Sequence, residues 1–425
     1  MFTNALLFSK PISNIWLQIP EAEYTLKSLS PSIFFVTLIS VIRGYFNGME
    51  SLKVTAKSQT IEQIAKILFT FIIVEFISVI SGNNTMLMAA GANLAITFAT
   101  IIGFIYLYIY YLSTKKEIAN EIKKRKNKET RIKEVIKSII RVSLPMLIIA
   151  FLGSMCKTID SVTVVRGLKS FLTESEAKAQ YGIIAGKIDT LIMLPMALNI
   201  ALTTSLIPKV SSLIAMGDME ETKKIVSDSI IITLLIGVPC SLGLLFFSNP
   251  ILKLLFPNQN AGSFTLQISS ISVVFISLEQ TLNGIMQGFG KHILPAWALV
   301  FGAITKLILN LILIPLDSSK YLWGGINGAA ISTVICHAVI LAIEYVSLAK
   351  RIELKFKFDK RKIFSIFGSA IFMIICSKYF YGILLSRFSE KISMLLILVF
   401  AFFIYFLLIF MLKIIKFKQF IDNKY

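Results

Sequence analysis

Eleven apolar runs, each long enough to cross ~30 Å of hydrocarbon, divide this chain of 425 residues. A segment crossing a bilayer must satisfy its own backbone N–H and C=O groups, so only helices and closed barrels can do it. Unbroken runs of about twenty apolar residues call for helices, since barrel strands alternate polar and apolar positions. We place spans over 28–48, 60–81, 86–112, 138–156, 183–213, 225–247, 264–288, 293–316, 322–349, 361–381 and 391–415. The span at 183–213 is expected to be a shorter membrane helix with a polar extension. The fold class is therefore all-α, a polytopic membrane protein. Charged residues make up 16% of the chain, against about 25% in a soluble domain. Mean hydropathy is +0.77.

The net charge of +19 raises the question of nucleic acid, and its distribution answers against that partner. The basic residues sit in short connections between apolar runs, where they set topology. The stretch 113–137 carries Lys115, Lys116, Lys123, Lys124, Arg125, Lys126, Lys128, Arg131, Lys133 and Lys137. Lys53, Lys57, Lys223, Lys224, Lys291, the run from Lys350 to Lys362 and the tail lysines from Lys413 fall on the same side if the spans alternate. The positive-inside rule makes that side cytoplasmic. The expectation is a multi-pass protein of the cell membrane with its C-terminus inside and Met1 outside. Met1–Lys10 has neither the basic n-region nor the small-residue cleavage site of a signal peptide. Cys156, Cys240, Cys336 and Cys376 form no CxxC, zinc spacing or disulfide framework. They read as small hydrophobes packed in helices.

Aligned with itself so that Gly44 falls on Gly284, the chain shows an internal repeat. Arg43-Gly44-Tyr45-Phe46-Asn47-Gly48-Met49 lies on Asn283-Gly284-Ile285-Met286-Gln287-Gly288-Phe289. Ile64 then meets Ile304, Lys66 meets Lys306, and Ala89-Ala90 meets Ala329-Ala330. The first and seventh spans cross in the same direction, so this is a parallel repeat. Six spans, 138–349, follow the basic linker, and the seventh span overall is their fourth. The first span then corresponds to the fourth helix of a first lobe. The expected architecture is two pseudo-symmetric lobes of six helices plus two more, of which eleven of fourteen are present. Residues 1–112 are a partial first lobe, 113–137 a basic cytoplasmic linker and 138–349 the second lobe. Residues 350–425 are two additional helices and a basic tail. Asn4-Ala5-Leu6-Leu7-Phe8 reads as the last turns of a helix cut short, and restoring three spans returns the N-terminus to the cytoplasm.

Several stretches carry a family resemblance. Ser30-Pro31-Ser32-Ile33-Phe34-Phe35, Ser40-Val41-Ile42-Arg43-Gly44-Tyr45-Phe46-Asn47-Gly48 and Ser58-Gln59-Thr60-Ile61-Glu62-Gln63 resemble the stage V sporulation protein B group of polysaccharide transporters. That group belongs to the multidrug/oligosaccharidyl-lipid/polysaccharide exporter superfamily. Ser143-Leu144-Pro145, Asp160, Tyr181-Gly182, Leu194-Pro195, Thr204-Ser205-Leu206-Ile207-Pro208 and Leu282-Asn283-Gly284-Ile285-Met286-Gln287-Gly288 are similar to the family's second lobe. The resemblance implies fourteen helices in two six-helix lobes, with helices of the first lobe lining a central cavity. It implies a flippase that moves a lipid-linked polysaccharide or peptidoglycan precursor across the cytoplasmic membrane by alternating access. The implied partners are an anionic lipid-linked sugar and membrane lipids, with the protein acting as a monomer, without a cofactor and without enzymatic chemistry. The chain departs from the family at its start, where the first two helices and most of the third have no counterpart.

A flippase needs a polar path for a charged headgroup. Ionisable residues within spans cost ~2.5–3.5 kcal/mol on insertion scales, so they are the candidates. Arg43 lies within the first span beside a glycine. It is either a bidentate phosphate ligand or a residue snorkelling to the cytoplasmic face. Lys66 and Lys306 hold equivalent repeat positions and suit an anionic diphosphate if they face one cavity; snorkelling is again the other reading. Glu62 and Lys66 share a helix face and would neutralise each other. Asp160, with Arg166 and Lys157, is placed near the outer end of the fourth span, as an Asp–Arg gate or as part of a solvated outer loop. Lys187 and Asp189 read as surface residues. Glu279 and Glu344 are candidate proton or cation sites, and Glu75 faces a helix neighbour or the same path. Asn47, Asn283, Gln287 and Asn310 hydrogen-bond either sugar or an adjacent helix. His292 and His337 are assigned no metal. The linker 113–137 is an amphipathic surface helix or a solvated connector.

Three other functions stay open at this point. A cation-coupled multidrug exporter of the same superfamily would lean on Glu279, Glu344 and Asp160. A membrane glycosyltransferase or polymerase would need a large extramembrane loop, and the longest outer loop read here is about 157–180. A truncated remnant would transport nothing.

Overall fold

The computed structural model describes residues 8–49, 51–124, 132–257, 261–291, 293–351 and 359–412. Each expected span is a helix. They are α1 (Ala22–Gly48), α2 (Leu52–Ser81), α3 (Thr85–Lys124) and α4 (Ile132–Leu168). Next come α5 (Glu174–Gly182), α6 (Asp189–Met216), α7 (Met219–Phe246), α8 (Ser248–Leu255), α9 (Ser263–Ser270) and α10 (Ser272–Gly288). The last are α11 (Ile293–Leu313), α12 (Gly325–Arg351), α13 (Lys360–Leu385) and α14 (Glu390–Met411). Two short π-helical turns, Ile12–Leu17 and Ile183–Ile188, complete the described helices. Among the described residues 11 helical stretches are long and apolar enough to cross a membrane; α5, its π-turn and α6 form one crossing, and α9 with α10 another. Phe71, Val79, Phe364 and Tyr379 are largely exposed, an apolar exterior that suits hydrocarbon rather than water.

Local chemistry sets the helix ends. Thr173 and Glu176 form a reciprocal capping box, which starts α5 in a polar stretch with no hydrophobic run of its own. Asp218 accepts the backbone N–H of Glu221 at the start of α7. The left-handed Gly217 (φ 77°) ends α6 just before it. Two expectations change here. The outer loop read at 157–180 is helix on both sides, leaving only Lys169–Thr173 as the connection. The basic linker is no separate surface helix: α3 continues to Lys124 and α4 begins at Ile132, with 125–131 outside the described residues. The tail lysines from Lys413, His292 and the stretch from Asn4 to Leu7 also lie outside them.

The chain divides into two compact units, Met1–Ile136 and Lys137–Tyr425. In the first unit α3 packs along both α1 and α2, which touch each other little. Its core is Ile39, Phe46, Val54 and Leu107, ringed by Tyr45, Tyr110 and Tyr111. In the second unit α12 relates to α10 and α11 in the same way, which gives the repeat read from the glycines and lysines a structural counterpart. The main core of this unit joins Leu206 and Val210 of α6, Ile230 and Leu234 of α7 and Leu282 and Ile285 of α10. Ile366 and Met373 of α13 and Met394 and Ile397 of α14 belong to the same core. The last two helices, α13 and α14, share this core.

Candidate functional site

In the first unit the apolar face of α1 is interrupted by Arg43. Its Nη2 donates to Glu62 Oε2 at 2.7 Å and its Nε donates to Ser58 Oγ at 2.9 Å. Ser58 and Glu62 are one turn apart on α2, so one planar guanidinium reaches both acceptors at once. Gly103 of α3 faces the pair, and a Cβ there would make ordinary contact with Glu62 Oε2 at 3.4 Å. This overturns the expected Glu62–Lys66 pairing: the carboxylate is given to the neighbouring helix. Lys66 is half-buried and makes no ion pair among the described residues. Asn47 accepts a hydrogen bond from Thr55 at 2.7 Å, linking the end of α1 to the start of α2. Glu75 is exposed on α2.

The second unit buries its charge more deeply. Lys306 on α11 donates to Asp160 Oδ2 on α4 at 2.6 Å, with side-chain exposures of 4% and 14%. Asn310, one turn along α11, donates to Asp160 Oδ1 at 2.9 Å and to Thr163 Oγ1 at 2.8 Å. The Ser332 hydroxyl of α12 donates to Asn310 Oδ1. Asp189, at the start of α6, lies within electrostatic reach of Asp160, Lys306 and Lys157. One ammonium therefore sits among two carboxylates. Asp160 was expected near a solvated outer loop, opposite Arg166. Because α4 continues two turns past it, Asp160 is inside the helix packing instead, and both its oxygens go to α11. Arg166 is exposed on α4. Lys306 is a neutralised internal charge, so its expected role as one of two open cations facing an anionic group does not fit its surroundings.

A third contact joins α10 to α12. Glu279 Oε2 and His337 Nδ1 are 2.6 Å apart, so the histidine read as alone in its span has a carboxylate partner. Two turns further along α12, Glu344 is 1% exposed, and neither of its carboxyl oxygens has a hydrogen-bond partner among the described residues. Gln287 donates to Asn283 Oδ1 at 3.0 Å within α10. Sequence reasoning passed over Asn199. Its amide donates to the Ser277 carbonyl at 2.8 Å and to Gln280 Oε1 at 3.1 Å, while Thr233 and Thr281 donate to its Oδ1. That network ties α6, α7 and α10 together. The available signal was an asparagine in the middle of an apolar run, a polar side chain of the kind that hydrogen-bonds across helices in a membrane.

Comparison with known proteins follows this geometry. The model of the family described as "MurJ: Lipid II flippase MurJ" matches residues 20–407. The chain is 26% identical over 337 residues to the uncharacterised membrane protein YabM of Bacillus subtilis (79% of this chain, 60% of that one). It is 23% identical to lipid II flippase MurJ of the same organism (87% and 68%). To the stage V sporulation protein B of that organism it is 22% identical (84% and 67%). The chain thus spans 60% of the length of the first and about two thirds of the other two. Two solved structures share the fold. A lipid II flippase MurJ in an inward closed conformation aligns with TM-score 0.65 at 19% identity, covering 96% of this chain and 79% of that one. An inward-facing multidrug resistance transporter of the MATE family aligns with TM-score 0.59 at 14% identity, covering 84% and 80%.

Proposed function

The chain belongs to the MurJ lipid II flippase family, and from that premise we propose that it is a membrane transporter carrying an anionic lipid-linked sugar outward across the cytoplasmic membrane. The cargo class is a peptidoglycan or polysaccharide precursor, moved by alternating access with no covalent step. The observation that carries this reading is the family match, which runs from residue 20 to residue 407. The protein works as a monomer in the cell membrane, with its C-terminus cytoplasmic. Reconstitution tests the function. Vesicles carrying the protein and a labelled lipid-linked sugar gain label accessible from the far side faster than protein-free vesicles; equal rates sink the proposal.

The ion pairs refine which residues meet the headgroup. Arg43, Asp160, Lys306 and Glu279 spend their charge on neighbouring helices, as inter-helix locks. Of Arg43, Lys66 and Lys306, Lys66 is the one that makes no ion pair among the described residues, which leaves its charge to offer a phosphate. Asn47, Asn283 and Gln287 line the proposed path as hydrogen-bonding groups. Loss of translocation in Lys66→Ala, with the fold intact, supports the assignment; unchanged translocation removes Lys66 from it. A drug exporter of the same superfamily would instead clear ethidium from vesicles in a Glu279-dependent way. The short connection at Lys169–Thr173 offers little support for a polymerase.

A further inference from the structure

Glu344 is a buried ionisable side chain that the inter-helix locks leave unused. It lies deep in α12, about three turns from the Asn310–Ser332 contact along a helix of 3.6 residues per turn, and about two turns from the helix end at Arg351. A carboxylate with no donor and no cation beside it is far costlier in an apolar interior than the corresponding acid, so such a group takes up a proton. The surrounding elements bring specific groups. From α10 comes Glu279, whose charge acts directly on Glu344. From α11 comes Lys306, already held by Asp160 of α4. Cys156 of α4 lies in the same neighbourhood, and α12 itself adds Cys336, His337 and Tyr345. The helix α9, which also packs on α12, carries no titratable group. Glu279 is itself paired with His337. A second carboxylate within the same helix packing further disfavours a charge on Glu344. Among the described residues no three His, Cys, Asp or Glu side chains are placed to hold a metal ion.

We infer that Glu344, with the Glu279–His337 pair beside it, forms a proton-binding site within the second unit, and that Glu344 carries the exchangeable proton. In the loaded state Glu344 is a neutral carboxylic acid and Glu279 is the carboxylate facing His337. In the unloaded state the Glu344 O–H bond has broken, its proton has left to water, and the remaining carboxylate needs water or a cation at its oxygens. Binding of the proton does not depend on what the protein carries; its coupling to movement rests on the transporter reading.

The test uses the full chain in phospholipid vesicles and infrared difference spectra between light and heavy water at neutral pH. The wild type shows the C=O stretch of a protonated carboxyl group. Glu344→Gln loses one carboxyl's share of that band, and Glu390→Gln, which removes an exposed carboxylate, leaves the band intact. If Glu344→Gln fails to fold, Glu344→Asp replaces it, and the band is then retained at a shifted frequency. Absence of the band in the wild type, an undiminished band in Glu344→Gln, or no band in a folded Glu344→Asp overturns the site. A band that appears only after sodium is removed also overturns it, because the site then holds a metal cation. The spectrum needs no substrate, so its failure is separate from a failure of lipid translocation.

Discussion

Helices α1–α3 and α10–α12 repeat one arrangement, yet equivalent side chains in the two units meet different surroundings. Gly284 and Gly288 on α10 are pressed against α6: an added Cβ would lie 2.3 Å from Thr203 Cγ2 at the first and 2.8 Å from Val210 at the second. Their counterparts Gly44 and Gly48 have nothing within 4 Å. Lys306 is buried against Asp160, whereas Lys66 is half-buried with no ion pair among the described residues. The contacts that distinguish the second unit come from α4 and α6, helices outside the repeated three. The repeat thus sets the register of small and charged residues. The helices packed around it decide whether a glycine is an interface and whether a lysine is a lock.

The largest expected effect separates the two ion pairs. Asp160→Ala leaves the Lys306 ammonium buried without its partner, which costs about 3–5 kcal/mol. Glu62→Ala leaves Arg43 in a site where both side chains are 19% exposed. Its cost is smaller than that of Asp160→Ala, because the site is more open and the guanidinium keeps Ser58 as a partner. Melting in detergent measures both, and equal losses would erase the distinction between the units. Replacing both members, as in Asp160→Leu with Lys306→Met, recovers most of the loss, because no charge is then stranded. The next effect uses the glycines. Gly284→Val overpacks the contact with Thr203 and destabilises by about 1–3 kcal/mol, while Gly44→Val in open space changes the melting temperature little. A comparable loss at Gly44 would mean that its surface is covered in the membrane.

The span pattern and the glycine-and-lysine register were legible in the sequence because each rests on a periodic constraint. Twenty apolar residues must be helical in a bilayer, and the repeated Gly44/Gly284 and Lys66/Lys306 positions need only alignment. Partner choice was not legible. Glu62 has Lys66 one turn away on its own helix, and local spacing favours that pair; α1 delivers Arg43 to it instead. Asp160 was placed near the outer end of its span, as a gate or in a solvated loop, because the apolar run ends near Cys156, but α4 continues as helix through Asp160 to Leu168. Burial by α11 is a tertiary fact that no local window contains. Asn199 was missed for a related reason: it is one polar residue in an apolar run, and its meaning lies in Thr233 and Thr281 on two other helices.

Smaller effects sharpen the lysine comparison. Lys306→Ala strands Asp160 and lowers the melting temperature, whereas Lys66→Ala leaves it unchanged and acts on translocation alone. A lower melting temperature in Lys66→Ala would show that it too is a structural lock.

The smallest effect belongs to a third pair, Lys253 of α8 with Glu390 at the start of α14, 2.8 Å apart at the exposed edge of the second unit. The hydrogen bond and charge of Glu390 hold the Lys253 ammonium above its ordinary pKa. A lysine whose pKa is raised on folding adds stability that is fully present below the unfolded value of about 10.4 and is lost as pH rises through the folded value. The melting difference between wild type and Lys253→Ala should therefore be small and constant near neutrality. It should vanish at strongly alkaline pH and shrink with added salt, which screens exposed charges. Lys306 has the same chemistry and the same kind of partner, but salt does not reach it. An Asp160→Ala loss that also shrinks with salt would place that pair in water, and the contrast between buried and exposed lysine locks would fail with it.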